Sequence, residues 1–281
     1  MPGWTKRIEP GDLIVMGGGR IGKDGIHGAT FSSEELHKDS PVQAVQIGDP
    51  ITQKKLSDFI REARDRGLYR FITDNGAGGL SSSVGEMAEH CNGCRMDLAK
   101  APVKYAGLQP WEILVSEAQE RMSFAVPPEK IEEFKTLAAE RDVEVSVLGE
   151  FTNDGKFHIL YDGKTVCLLD LEFMHDGLPQ MHLKAVWKAP HFEEPSISCR
   201  DCAADLVAMM GRLNICSDEY KARQYDHEVK GLSVVKPFIG KCRDVQGDAT
   251  VTMIEPLSTE GVILSSALLP RYSDIDTYYM A

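Results

Sequence analysis

The stretch Asp12-Leu13-Ile14-Val15-Met16-Gly17-Gly18-Gly19 decides how the chain is read. Its apolar run ends in three glycines, the pattern of a buried strand running into a glycine loop. A second glycine loop, Gly22-Lys23-Asp24-Gly25-Ile26-His27-Gly28, follows at once. Outward from there, Val42 to Ile47 reads as a strand closed by Gly48-Asp49-Pro50. Leu56, Phe59, Ile60 and Ala63 fall at i, i+3, i+4 and i+7, which predicts an amphipathic helix over 51–66 stopped by Gly67. Tyr69 to Thr73 reads as a strand ending at Asp74. A loop Asn75-Gly76-Ala77-Gly78-Gly79 and a helix over 81–90 come next.

Further on, the pattern predicts a helix over 111–116 and a strand over 121–126. Pro127-Pro128 opens another helix carrying Ile131, Phe134, Leu137 and Ala138. Val143, Val145 and Val147 alternate with Glu144 and Ser146, a strand with one solvated face. Strands over 157–160 and 165–169 flank Asp162-Gly163 as a hairpin. Strands and helices mix without a strict βαβ repeat, so the expected class is α+β. Lys188 to Ser198 carries two prolines and no apolar periodicity, and reads as a linker. Beyond it lie a helical pattern over 202–213 and strands over 233–235, 249–254 and 262–265.

Composition narrows the function classes. The 281 residues are 42% hydrophobic and 26% charged, ordinary for a globular chain. A net charge of -12 excludes a broad nucleic-acid face, which needs Lys and Arg in excess. Met1 to Arg7 has no apolar stretch after its basic residues, and no run approaches the ~18 apolar residues of a membrane helix. Seven cysteines, an odd number, suit a reducing cytoplasm. Cys91 with Cys94 and Cys199 with Cys202 have the spacing of zinc knuckles. They stand over a hundred residues apart and read better as free thiols.

Four clusters can carry chemistry. Gly17 to Gly25 sets glycine N–H groups beside Arg20 and Lys23, which suits a phosphate cradle or a surface turn. It is neither a P-loop nor a dinucleotide fingerprint. Asp74, at a strand end before small residues, reads by itself as a turn cap, with a Mg²⁺ ligand as the alternative. Ser116-Glu117-Ala118-Gln119-Glu120-Arg121-Met122 offers carboxylates and an amide to a polar ligand, or is a solvated connection. Arg223-Gln224-Tyr225-Asp226-His227-Glu228-Val229 is dense in ionisable groups and suits a structural or interface role.

These clusters, in this order, resemble one family, phosphoribosylformylglycinamidine synthase. The residues that carry the resemblance are Gly18 to Ser33, Val45-Gln46-Ile47-Gly48-Asp49-Pro50, Asp74 to Leu80, Ser116 to Met122, Arg223 to Val229, and Pro270-Arg271-Tyr272-Ser273-Asp274-Ile275-Asp276. The wider superfamily includes aminoimidazole ribonucleotide synthetase, selenophosphate synthetase, thiamine-phosphate kinase and an ATP-binding hydrogenase maturation protein. The resemblance implies an α+β fold made of a carboxy-terminal-type domain over 1–188, a linker over 189–200, and the start of an amino-terminal ATP-binding-type domain over 201–281. It implies an internal piece of a longer ligase, inactive alone and cytoplasmic. The alternatives are another kinase or synthetase of the superfamily, or a non-catalytic interaction domain.

The implied reaction joins formylglycinamide ribonucleotide, ATP and glutamine-derived ammonia into the amidine, with Mg²⁺ as cofactor and a glutaminase domain or subunit as partner. By the same resemblance, Gln46 is a substrate contact, Asp74 a Mg²⁺ ligand, and Glu117, Ala118 and Gln119 the substrate-binding triplet. Ala118 stands where the family commonly has Ser, and Asn75 where Met is frequent. Gly18, Arg20, Lys23 and His27 are expected near ligand phosphate, from charge beside glycines. No nucleic acid or membrane partner is expected. A piece cut from its neighbours would expose apolar surface, which favours a homodimer.

Overall fold

Strand β1 (Leu13–Gly18) lies inside a seven-stranded mixed sheet and feeds both faces of it. In this computed structural model the described residues are 7–26, 48–186, 188, 191, 193–194, 196, 201–213, 215–224, 229–267 and 269–280. The chain divides into two units, Met1–Met181 and His182–Ala281. The first contains β1, α1 (Pro50–Asp65), β2 (Phe71–Asp74), α2 (Gly79–Glu89), β3 (Cys94–Asp97) and α3 (Pro110–Val115). It continues with β4 (Arg121–Val126), α4 (Ile131–Glu140), β5 (Val145–Phe151), β6 (Lys156–Tyr161), β7 (Lys164–Asp170) and α5 (Leu171–Asp176). The sheet order is β2-β4-β1-β5-β3-β6-β7, antiparallel throughout except for β3 against β6.

Alternation along β1 sorts the core. Ile14 and Met16 join a cluster with Leu80, Val84 and Met87 of α2, while Val15 faces Phe59 of α1 and Phe134 of α4. Side chains two apart share a sheet face, so one short strand serves both layers. On the second face Phe59, Phe124 and Phe134 meet edge to face, with centroids 4.9 to 6.1 Å apart.

Local chemistry sets the element ends. Asp49 caps α1, its Oδ1 accepting from the N–H groups of Ile51 (3.1 Å) and Thr52 (3.2 Å), with Pro50 in the first turn. Gly67 closes α1 at φ +63°. The N–H groups of Gly67 and Leu68 donate to the carbonyls of Arg64 and Ala63, each at 2.9 Å, which is a Schellman ending. The turn between β6 and β7 places Asp162 (φ 50°) and Gly163 (φ 73°) both in the left-handed region, as a tight hairpin requires.

Two differences from the sequence reading have physical reasons. Gly17 and Gly18 are not loop residues: they stay in β1, opposite Met122 and Arg121. A Cβ on Gly17 would stand 3.1 Å from the Phe124 ring, and one on Gly18 would stand 2.1 Å from the Glu120 carbonyl oxygen. Strand β3 was not expected, because Cys94-Arg95-Met96-Asp97 is too short to show a period and exists through its neighbours β5 and β6. The strand expected over 42–47 lies outside the described residues.

In the second unit, α6 (Cys202–Met210) is capped by Asp201, and α7 (Glu219–Ala222) follows. Strands β8 (Ser233–Val235), β11 (Ala249–Met253) and β12 (Gly261–Ser265) form one antiparallel sheet. Strands β9 (Phe238–Ile239) and β10 (Val245–Gln246) pair as a separate antiparallel ribbon, and α8 (Thr277–Met280) is last. Among the described residues of this unit, Phe238 alone is a buried hydrophobic, and Val262, Ile263 and Leu264 of β12 are exposed. No described helix is long and apolar enough to cross a membrane.

Candidate ligand-binding site

Antiparallel pairing gathers distant motifs at one end of the sheet. Asp74, last in β2, lies opposite Met122 of β4, and Gly18, last in β1, lies opposite Arg121. The segment Ser116 to Glu120 enters β4 at the same place. Its Ala118 and Gln119 line a cleft of about 380 Å³ together with Asp74, Asn75 and Leu56 of α1. Gln119 and Glu120 also border a second hollow of about 440 Å³ that contains Gly18, Gly19 and Arg20. The turn at 119–120 is therefore the wall between the two.

Glu117 ties two glycine loops together. Its Oε1 accepts from the Gly78 N–H at 3.0 Å, and its own N–H donates to the Asp24 carbonyl at 2.8 Å. Gly25 (φ +64°) packs so closely that a Cβ there would stand 2.6 Å from Glu117 Oε2. Gln119 is exposed at the cleft and donates from Nε2 to the Glu117 carbonyl at 3.1 Å. Ala118 is buried, carries no hydroxyl, and donates its N–H to Ser116 Oγ at 3.3 Å.

Asp74 is exposed, and its Oδ1 accepts from the Gly76 N–H at 2.9 Å. The turn-cap reading is thus realised, and Asp74 also lines the cleft. Among the described residues no three His, Cys, Asp or Glu side chains gather to hold a metal. One exposed carboxylate fits Mg²⁺ shared with phosphate oxygens and water, and does not fit a closed protein cage.

The other expected site residues divide. The N–H groups of Gly18 and Gly19 donate to the carbonyls of Glu144 and Glu120, both at 2.9 Å. Arg20 pairs with Glu144 at 2.8 Å, and Lys23 turns instead to Glu112 at 3.0 Å. The two cations thus serve different carboxylates on different elements. Gln46, His27 and Tyr225 to Glu228 lie outside the described residues.

Sequence reasoning assigned no role to Arg121, yet it sits directly behind the cleft. It is 2% exposed. It donates from Nε to the Ala118 carbonyl (2.7 Å), from Nη2 to the Ser116 carbonyl (2.5 Å) and from Nη1 to Met16 Sδ (3.8 Å). Burial pushes its guanidinium down to about 10. A second missed group is polar and buried: Asn75 Oδ1 accepts from Ser83 Oγ (2.6 Å) and Ser123 Oγ (2.9 Å). The available signal was alternation, since Arg121, Ser123 and Ala125 face one way and Ala125 is core. Cys91 and Cys94 are buried, with thiols pushed up by burial to about 11 and about 12. They are neutral core residues, and Cys199 lies outside the described residues.

Residues 9–162 match the family described as AIR synthase related protein, C-terminal domain, and the chain belongs to that family. Nearly the whole chain is similar to one synthase subunit. The chain is 35% identical over 287 aligned residues to phosphoribosylformylglycinamidine synthase subunit PurL of Thermoplasma acidophilum, covering 98% of this chain and 37% of that protein. Among solved structures, Thermotoga maritima PurL complexed with FGAR is 27% identical with a TM-score of 0.63, over 89% of this chain and 38% of that one. PurLQS from the same organism is 25% identical with a TM-score of 0.65, over 91% and 37%. The chain spans little more than a third of the length of these relatives.

Proposed function

We propose that this chain is the substrate-side part of a phosphoribosylformylglycinamidine synthase, an ATP-dependent ligase that forms a C–N bond. In that reaction ATP phosphorylates the amide oxygen of formylglycinamide ribonucleotide. Ammonia adds to the activated carbon, phosphate leaves with the former amide oxygen, and the amidine, ADP and phosphate result. An amide oxygen is a poor leaving group, so activation precedes attack and catalysis rests on positioning and charge neutralisation. Mg²⁺, held by Asp74, would supply charge neutralisation at the phosphates.

The observation that carries this reading is the meeting of Asp74 and Gln119 on one cleft, with Glu117 fixed between the two glycine loops. Glu117 accepts and Gln119 both donates and accepts, which suits ribose hydroxyls and an amide. Ala118, buried with its carbonyl on Arg121 and its N–H on Ser116 Oγ, is placed in the triplet by its motif, as the Gln46 substrate contact is by its own. Residues 1–188 form the carboxy-terminal-type domain in this reading, 189–200 the linker and 201–281 part of an ATP-binding-type domain. The bare apolar strand β12 supports the last assignment, and also supports self-association as a homodimer in isolation. The partner is a glutaminase domain or subunit supplying ammonia in the cytoplasm. The chain alone binds substrate without turning it over.

Isothermal titration of the 281-residue chain with formylglycinamide ribonucleotide and Mg²⁺ tests this. A saturable isotherm that Gln119→Ala weakens is expected. Absence of binding at millimolar substrate would overturn the reading, and amidine formation by the chain alone would overturn its inactivity.

A further inference from the structure

Arg121 is a buried cation, 2% exposed, held by hydrogen bonds to backbone carbonyls. Among the described residues it forms no ion pair, and Asp24, the carboxylate whose charge reaches it, is paired with Lys104 at 2.8 Å. Burying a guanidinium is costly, and an apolar side chain of similar volume would fill the space at less cost. Packing alone therefore does not account for an arginine here. Its hydrogen bonds do: two of the guanidinium's nitrogens reach the Ala118 and Ser116 carbonyls, three and five residues back in the chain. A planar fork of fixed donors holds two acceptors in one arrangement, as an ammonium cannot.

The consequence is local. With the carbonyls of Ser116 and Ala118 drawn inward, the Glu117 N–H meets the Asp24 carbonyl, and Gln119 stands exposed at the cleft. The loop so closed contains Glu120 at φ 55°, a left-handed conformation that a side-chain-bearing residue adopts only under constraint. Its carbonyl accepts from Gly19, and Gly18 (φ +109°) has no Cβ to obstruct it. The strained turn, the glycines and the arginine thus form one device.

We propose that Arg121 is a positioning residue of the ligand site, its guanidinium clamping the carbonyls of Ser116 and Ala118 so that Glu117 and Gln119 are set for the substrate. The clamp is a property of this chain alone, while its purpose rests on the substrate-side reading above.

Hydrogen exchange and titration with formylglycinamide ribonucleotide, on wild-type chain, Arg121→Lys and Arg121→Met, test the two separately. Exchange at residues 116–120 and at Gly78 is expected to rise at least ~10-fold in Arg121→Met and less in Arg121→Lys, with β1 and α4 as protected as in wild type. Substrate affinity is expected to fall in the same order. Unchanged exchange at 116–120 and Gly78 overturns the clamp, even where affinity falls, because Arg121 would then act on the ligand directly. Loss of protection throughout the sheet in both variants also overturns it, making Arg121 a general stability residue. A wild-type chain that does not bind overturns the substrate-side reading, and with it the clamp's purpose, while exchange still decides the clamp itself.

Discussion

The N–H of Gly78 donates to Oε1 of Glu117 at 3.0 Å, joining two loops 39 positions apart. Replacing Glu117 by Ala leaves a half-buried N–H without its acceptor, and a loss of about 1–2 kcal/mol in urea unfolding is expected. Glu117→Gln keeps an oxygen in reach and is expected to lose less than about 1 kcal/mol. Equal losses in the two variants would mean that the hydrogen bond contributes nothing.

Gly79 is where the Asp74 loop touches the Ser116 segment. It has φ +58°, and an added Cβ would stand 2.2 Å from the Ser116 carbonyl oxygen. Gly79→Ala is therefore expected to destabilise by about 2 kcal/mol or more, through backbone strain and the forced shift of that carbonyl. Thermal unfolding measures it, and an unchanged midpoint would contradict the close approach.

The aromatic cluster between α1, α4 and the sheet is the main anchor of its face. Phe124→Ala is expected to cost about 3–5 kcal/mol, since the ring is fully buried between Phe59 and Phe134. Trp111→Ala, at a residue 54% exposed, is expected to fall within about 0.5 kcal/mol of wild type. Denaturant midpoints of the two variants check the contrast.

The cysteines give a pH prediction. Cys91 and Cys94 have thiols raised from about 9 to about 11 and about 12 by burial. Below pH 9 they are protonated whether the chain is folded or unfolded, and their contribution to stability is intact. As pH rises from 9 through 11 the unfolded chain gains by releasing protons that the folded chain retains, so stability falls. At about pH 8, a thiol reagent is expected to modify exposed Cys202 and Cys242 at once, and Cys91 and Cys94 only after denaturation. Rapid modification of Cys94 in the native chain would contradict its burial.

Local pattern alone was enough for most elements of the first unit. Leu56, Phe59 and Ala63 repeat at helical spacing, and that repetition marks α1 because burying one face is what stabilises such a helix. Gly67 marks its end through left-handed freedom, a property of the residue itself, whereas Asp49-Pro50, read as the close of a strand, caps its start. The motif at 116–122 and the loop after Asp74 were likewise legible as polar groups among small residues. What the order of residues could not decide is pairing. Whether Gly18 continues a strand depends on the Glu120 carbonyl 102 positions later, and β3 forms only because β5 and β6 supply hydrogen-bond partners on either side. Arg20 and Lys23, adjacent to glycines and apt for phosphate in sequence, are claimed by Glu144 and Glu112 once the sheet assembles. Arg121 acquires its place behind Glu117 and Gln119 in the same way: a cation buried against two carbonyls is a fact of packing, and no local pattern states it.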